Sequence, residues 1–72
     1  MSIRQIMVEK NLSASEALVF QLVMRGLSNA EISTHLFIKP TTVKFHLTHI
    51  YKKLGVASRA KMIVNNFKYM EQ

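Results

Sequence analysis

Apolar residues recur at helical spacing in four stretches of the chain, and capping or turn residues bound each stretch. The first stretch follows Leu12, where Ser13 and Glu16 have the spacing of a capping box, and it ends at Gly26. This pattern predicts an α-helix over residues 14–25. The apolar positions of that helix are Leu18, Val19, Leu22 and Val23, with Phe20 beside them.

A second capping box, formed by Ser28 and Glu31, predicts a short helix over residues 29–36. That helix would bury Ile32 and Leu36 against the first one. This helix is short, it begins at a capping box, and a turn follows it, so it is a candidate for the first helix of a helix pair.

A longer helix is predicted over residues 40–54, after a turn made by the three residues 37–39. It begins at Pro40, whose missing N–H is not needed at the first helical position, and it stops at Gly55. Its apolar positions are spaced four, three and four residues apart, at Val43, Leu47, Ile50 and Leu54.

The last predicted helix covers residues 59–70 and can be capped by Ser58. Residues 1–11 form either an arm docked on the body or a short helix, because Ile3, Ile6 and Met7 have the spacing of one helical turn. Without any strand signal, the sequence predicts an all-α, four-helix bundle, with one domain over residues 12–72. The apolar stripe of the last helix consists of Ala60, Ile63, Val64 and Phe67.

The 72 residues suffice for one small domain, and a hydrophobic fraction of 49% supplies its core. The chain contains no cysteine, so we expect oligomerisation rather than disulfides to support so small a fold. Its formal charge of +6 leaves nucleic acids, anionic membranes and acidic proteins open as partners. No apolar run has the length of a membrane span or of a signal peptide, so we expect a cytoplasmic protein without membrane contact.

Charge is distributed unevenly along the chain. After Glu31, no acidic residue occurs before Glu71. A polar helix face inside such a uniformly positive segment is typical of DNA binding. The basic residues in this interval are Lys39, Lys44, Lys52, Lys53, Arg59, Lys61 and Lys68.

The helix predicted over residues 40–54 has an unusual polar side. An aromatic residue there is explained if this side meets DNA, because Phe or a Thr methyl can contact a thymine methyl and Lys can donate to guanine. The alternative is a surface helix with a stray Phe. At about 100° per residue, the side opposite the apolar stripe contains Thr41, Phe45, Thr48, His49 and Lys52, with Lys44 and Tyr51 on one flank and His46 on the other.

Four fragments of the sequence resemble the LuxR/GerE-type helix-turn-helix: G-L-S-N-A-E-I at 26–32, L-F-I at 36–38, T-V-K-F-H at 42–46 and K-L-G-V-A-S-R at 53–59. The resemblance extends from Leu12 into the last helix, about 60 of the 72 residues. It implies a dimer on a two-fold DNA site, with the helix of residues 40–54 in the major groove and the last helix at the dimer contact. The length resembles free-standing, GerE-like regulators.

The resemblance also implies roles for individual residues. Those matching base-reading positions are Lys44, Phe45 and Thr48. Those matching positions at or near the DNA backbone are Thr42 and His46, and those matching positions near phosphates or bracing the fold are Ser28, Asn29, Lys53 and Arg59. Apart from the resemblance, we also expect at the DNA backbone or on its flanks Lys39, Thr41, His49 and Lys52. Those expected at the dimer contact are Ile63, Val64, Phe67 and Met70. The apolar area of Met62, Tyr69 and Met70 agrees either with this contact or with ordinary core.

Two positions depart from the family pattern. Lys39 stands where a Ser or Thr usually precedes the recognition helix, so a cap is lost and a cation is gained. Ser15 stands where an Arg usually precedes the glutamate, so a pairing made through that arginine is expected to be missing. Neither departure changes the predicted fold, but the one at Ser15 is expected to remove local bracing from the first predicted helix.

Catalysis and metal binding are not expected. His46 and His49 lie three residues apart on one helix, and His35 lies upstream, but no third ligand stands at a suitable spacing. No nucleophile is paired with a base and an orienting acid, so we expect neither an enzyme nor a cofactor.

The function predicted from these patterns is a sequence-specific, nucleoid-associated transcriptional regulator that acts as a homodimer, with activation implied by the family. Its expected partners are double-stranded DNA and either RNA polymerase or a larger regulator. The alternative is a protein-interaction module that pairs with a larger regulator of the same family through the last helix. A region-4-like piece of a sigma factor is a third possibility, but it does not explain K-L-G-V-A-S-R.

Overall fold

Five α-helices and one 3₁₀-helix account for the secondary structure of residues 2–70, the part of the chain that the computed structural model describes. No strand occurs in that range, so the predicted all-α class is confirmed, although the predicted count of four helices is one too few. The elements are α1 (Ile3–Glu9), α2 (Ala14–Met24), α3 (Asn29–Leu36), α4 (Pro40–Leu54), α5 (Arg59–Asn65) and the 3₁₀-helix (Phe67–Met70).

Capping boxes start the second and third helices, as the sequence predicts. The hydroxyl of Ser13 accepts from the N–H of Glu16 at 3.1 Å, and the Glu16 carboxylate accepts from the Ser13 N–H at 2.9 Å. Ser28 and Glu31 repeat this exchange at 3.2 and 2.8 Å at the start of α3. Each box satisfies orphan N–H groups of the first turn and fixes where its helix begins.

The turn between α3 and α4 is held by its own hydrogen bonds. Phe37 ends α3 in the left-handed conformation, with φ 57° and ψ 41°. The N–H of Ile38 then donates to the carbonyl of Ser33 at 3.1 Å, and the Ser33 hydroxyl donates to the carbonyl of Ile38 at 2.6 Å. These bonds close the end of α3 and set the direction in which α4 leaves.

The core surrounds α2, which packs against α1, α3, α4 and the 3₁₀-helix. Leu18 is a correction to the sequence analysis, because this expected core residue is 50% exposed. α2 is buried on most of its circumference, so its apolar pattern does not identify the open side. The fully buried side chains at the centre are Ile6, Val19, Phe20, Val23, Ile32, Val43, Ile50, Met62 and Tyr69.

The two ends of the described chain meet. The Tyr69 hydroxyl donates to the Glu9 carboxylate at 2.7 Å, and Ile6 of α1 is completely buried. The N-terminal residues Ile3–Glu9 therefore form a packed helix.

The predicted helix over residues 59–70 is interrupted, because the buried amide of Asn66 donates to the carbonyl of Met62 at 2.7 Å. Asparagine side chains that bond the backbone in this way compete with helix continuation.

Candidate nucleic-acid interface

The apolar stripe of α4 fixes which side of that helix reaches solvent. Val43, Leu47 and Ile50 are buried in the core, so the opposite side must face outward. The structure places the predicted outward residues there, and Lys44 joins them. The exposed side chains of this face, called here the α4 face, are Thr41, Lys44, Phe45, Thr48, His49 and Lys52. Two residues at the edge, Thr42 and His46, are half-buried.

An aromatic pair occupies the middle of the α4 face. Phe45 is 61% exposed, and its ring centroid lies 4.4 Å from that of His49, with an angle of 45° between the ring planes. The ring of His46 is farther away, at 6.3 Å and 62°. Residues four apart on a helix are surface neighbours, and 4.4 Å is the separation of rings in contact. Phe45 is therefore supported along one side while the rest of its ring stays open to a partner.

The hydroxyl of Thr48 is turned back onto its own helix. It donates to the carbonyl of Lys44 at 3.0 Å. Its single proton is used in that bond, so Thr48 offers a partner its methyl group and the remaining acceptor capacity of its oxygen. At a DNA base edge, these groups suit a thymine methyl or an exocyclic amine.

The cations of the α4 face are not neutralised by the described part of the chain. Within residues 2–70 the one ion pair joins Lys53 to Glu16, and the carboxylates of Glu9 and Glu31 lie on α1 and α3. Lys44 and Lys52 are exposed on α4, and the N-cap residue Lys39 makes no capping bond with its side chain. Uncompensated positive charge along one face attracts a polyanion.

Lys53 braces the fold. Its amine lies 2.7 Å from the Glu16 carboxylate, which joins the C-terminal part of α4 to the first turn of α2. Burial raises the pKa of Glu16, but the hydrogen bonds from Lys53 and Ser13 and the charge of Lys53 outweigh it and lower the pKa below its usual value. Bracing of α2 therefore exists, although Ser15 stands where the family has arginine.

Arg59 also braces the fold. Its guanidinium donates to the side-chain oxygen of Asn29 and to the carbonyl of Leu27, both at 2.6 Å. These bonds tie the start of α5 to the entrance of α3. Asn29 and Arg59 thus brace the fold, and a phosphate contact by either residue stays a prediction.

The side chain of Ser28 serves as the cap of α3. Its bonds with Glu31 lower the pKa of that carboxyl below its usual value. The hydroxyl oxygen of Ser28 therefore already accepts one N–H, and any phosphate contact at this residue would add to the cap.

An apolar stripe runs along the outside of α5. Val64 is 66% exposed, Phe67 is also exposed, and Ile63 and Met70 are half-buried. The spacing of residues 60, 63 and 64 puts them on one side of α5. Phe67 and Met70 follow on the 3₁₀-helix. Met62 and Tyr69, whose apolar area agreed with either core or contact, are buried in the core. The stripe consists of Ala60, Ile63, Val64 and Phe67, with Met70 at its end.

Some groups of the interface carry a sequence signal and others do not. The Phe45–His49 contact has i, i+4 spacing, so helical geometry alone makes these side chains neighbours. The Lys53–Glu16 and Arg59–Asn29 bonds join residues far apart in the chain, and no local pattern announces them. Among residues 2–70 there is no cluster of three metal-ligating side chains, and no helix there is long and apolar enough to cross a bilayer.

Comparison with known proteins gives one family. The profile of the bacterial regulatory proteins of the luxR family matches residues 10–65. Relatives named HTH-type transcriptional regulators are 49% identical over 53 residues in Mycobacterium bovis and in Mycobacterium tuberculosis. The oxygen regulatory protein NreC of Staphylococcus aureus is 39% identical over 54 residues. No solved structure matches the chain significantly.

These matches cover most of the chain and little of the relatives. They span 74% of this chain and 6% of the mycobacterial proteins, and 75% of this chain and 25% of NreC. The similarity thus concerns one domain of much longer proteins.

Proposed function

The chain belongs to the luxR family of bacterial regulatory proteins, a family of DNA-binding helix-turn-helix regulators, and we propose that it binds specific DNA sequences as a homodimer and regulates transcription. The observation that carries the proposal is the α4 face. It combines uncompensated lysines with exposed Phe45 and Thr48, on a helix whose other side is locked into the core.

The architecture supports placing α4 in the major groove. The turn after α3 is fixed by the Ser33 and Ile38 bonds, and the far end of α4 is fixed by Lys53 and Glu16. A recognition helix held at both ends presents its side chains in one geometry, which base readout requires. The proposed base-reading residues are Lys44, Phe45 and Thr48.

Affinity and specificity would come from different residues. Lys39, Lys52 and the polar groups of Thr41, Thr42 and His46 are proposed to contact phosphates, which gives salt-dependent affinity for any sequence. The base edges would be read by the centre of the α4 face. Lys61, exposed on α5, is expected to contribute only to the general affinity.

The α5 stripe supports the dimer. Val64 on α5 and Phe67 on the 3₁₀-helix both expose apolar surface, and one domain of this size makes few DNA contacts by itself. Two-fold pairing through α5 would double those contacts and place two copies of α4 on a palindromic site. Activation of transcription through RNA polymerase is the direction of regulation that the family resemblance implies.

The α5 stripe also supports the second candidate function. A chain of this length could pair through Val64 and Phe67 with the matching helix of a larger regulator of the family, and so change that regulator's activity. This function needs the stripe but does not need the α4 face. The two candidates therefore differ in which surface is required.

Matched charge variants test the proposal. In fluorescence anisotropy titrations at fixed salt, Lys44→Ala is expected to weaken binding to a selected site by about 1–3 kcal/mol, the usual value of a base-directed contact. The control is Arg4→Ala, which removes the same charge from an exposed position on α1 and is expected to change specific binding far less. If Lys44→Ala and Arg4→Ala have equal effects, the α4 face does not read bases.

A second variant separates the dimer from the alternative. Val64→Asp puts a charge into the α5 stripe and is expected to reduce dimer formation in analytical ultracentrifugation and to weaken binding to a two-fold site. A monomeric wild-type chain that retards no DNA, but binds a larger luxR-family regulator through Val64, would favour the interaction module.

A further inference from the structure

Phe45 exposes an aromatic ring on the outward side of α4. A lone surface Phe would rotate freely among its side-chain conformers and would lose that freedom on binding. In this structure, His49 lies against the ring at a centroid distance of 4.4 Å. The imidazole limits the positions open to the Phe45 ring, and the residue remains 61% exposed.

Thr48 adds a second apolar group next to Phe45. Thr48 lies three residues on and is a neighbour on the same side of the helix. Its hydroxyl proton is directed to the Lys44 carbonyl, which leaves the methyl group to the outside. Phe45 and the Thr48 methyl therefore offer a small apolar patch on a face that also exposes Lys44 and Lys52.

The major groove offers one apolar group that matches such a patch. Each thymine presents its C5-methyl there, whereas guanine, adenine and cytosine present hydrogen-bonding groups. A ring edge cannot satisfy those polar groups and would leave them unpaired. The patch therefore favours a base pair that carries thymine.

Resting on the DNA-binding function proposed above, we propose that Phe45 reads the methyl group of a thymine and that His49 is the positioning residue that holds the Phe45 ring for this contact. His49 acts through its ring and not through its polarity. Its ring nitrogens remain free to reach a phosphate, so the two roles must be separated by experiment.

Replacing thymine with uracil isolates the methyl group. In the site obtained by selection from random DNA, each thymine is replaced in turn by uracil, and binding is titrated at fixed salt. At one position the wild-type chain is expected to lose about three- to fivefold in affinity, the value of one buried methyl group. Phe45→Ala is expected to bind the thymine and uracil sites equally.

Two substitutions at His49 separate the ring from its polarity. His49→Phe keeps the ring contact and is expected to keep the thymine preference. His49→Gln keeps a polar side chain of similar reach but removes the ring, and its binding ratio between the thymine and uracil sites is expected to fall towards one. The matched control is His35→Gln, an exposed histidine of α3, which is expected to keep the preference. Circular dichroism and the melting temperature confirm that each variant is folded.

The outcomes distinguish this inference from the function on which it rests. If His49→Gln keeps the thymine preference, or His49→Phe loses it, His49 does not position Phe45. A selected motif whose binding is indifferent to uracil at every position would overturn the inference and leave sequence-specific binding intact. The absence of any selected motif would overturn both.

Discussion

The amine of Lys53 lies 2.7 Å from the carboxylate of Glu16, although 37 residues separate them in the chain. The same carboxylate accepts the N–H of Ser13, so one side chain both caps α2 and receives the cation from α4. The pair ties the C-terminal part of α4 to the first turn of α2.

Removing the charge of Glu16 tests this relationship. Glu16→Gln keeps an oxygen for the cap but leaves Lys53 without its anion, so we expect the free energy of unfolding to fall by roughly 1–2 kcal/mol, the range for a charged hydrogen bond near the surface. Urea denaturation of Glu16→Gln, Lys53→Met and the double variant measures the coupling. Additive effects would show that the two residues stabilise the protein independently.

The pH dependence of the free energy of unfolding at acid pH gives a second test of the Glu16–Lys53 pair. Because the pKa of Glu16 is lowered in the folded state, its contribution is present above the unfolded pKa and is lost as pH falls through the folded pKa. We expect the wild type to lose stability below about pH 4.5 more steeply than Glu16→Gln. Glu31→Gln is the comparison variant, because the pKa of Glu31 is lowered by its capping bonds with Ser28 alone, and the difference between the two variants reports the contribution of Lys53.

Arg59 is expected to be irreplaceable by lysine. Its planar guanidinium donates to the Asn29 side chain and to the Leu27 carbonyl at the same time, and a lysine amine cannot reproduce that geometry. Arg59→Lys should lower the free energy of unfolding by roughly 1–3 kcal/mol. Lys61→Arg, at an exposed position of α5, is the matched control. If thermal unfolding shows that Arg59→Lys is as stable as the wild type, Arg59 does not brace the fold.

Alkaline conditions should weaken the contact between the chain ends. Burial, followed by the hydrogen bond and the charge of Glu9, raises the pKa of Tyr69 to about 12. The unfolded value is about 10, so stability is complete below pH 10 and declines as pH rises towards 12. Tyr69→Phe should flatten that decline in denaturation experiments across this range. Tyr51→Phe is expected to flatten it less, because burial raises the Tyr51 pKa while the charge of Arg59 counteracts the rise.

Phe37 should be a site where a substitution stabilises the protein. It is 94% exposed and occupies the left-handed region at φ 57°, so its side chain buries little and its backbone is strained. Phe37→Asn should raise the free energy of unfolding by about 1 kcal/mol, because asparagine tolerates this conformation. A melting temperature equal to or lower than that of the wild type would mean that the aromatic ring makes a stabilising contact.

The fold was largely predictable because its determinants are local. The two Ser–Glu capping boxes, Pro40 and Gly55 are signals within four residues of the helix ends that they define. The stripe of α4 is narrow, so its buried side and its outward side follow from helical spacing. The comparisons confirm the resemblance on which the helix-turn-helix assignment rested.

The parts that could not be predicted depend on contacts made in three dimensions. Leu18 follows the same pattern as its buried neighbours, and only the arrangement of the other helices leaves it open. Asn66 interrupts the last helix because its amide finds the Met62 carbonyl. For Lys53 and Arg59 the sequence leaves two roles open, phosphate contact and bracing of the fold. Their partners Glu16 and Asn29 lie far away in the chain, so the sequence does not identify these bonds.

Site selection from a random DNA pool with the purified chain, at about 0.15 M salt and thus at a Debye length of about 8 Å, tests the central claim most directly. The account predicts an enriched two-fold motif with half-sites about one helical turn apart. Uniform, salt-sensitive retention of all sequences, without any motif, would contradict it.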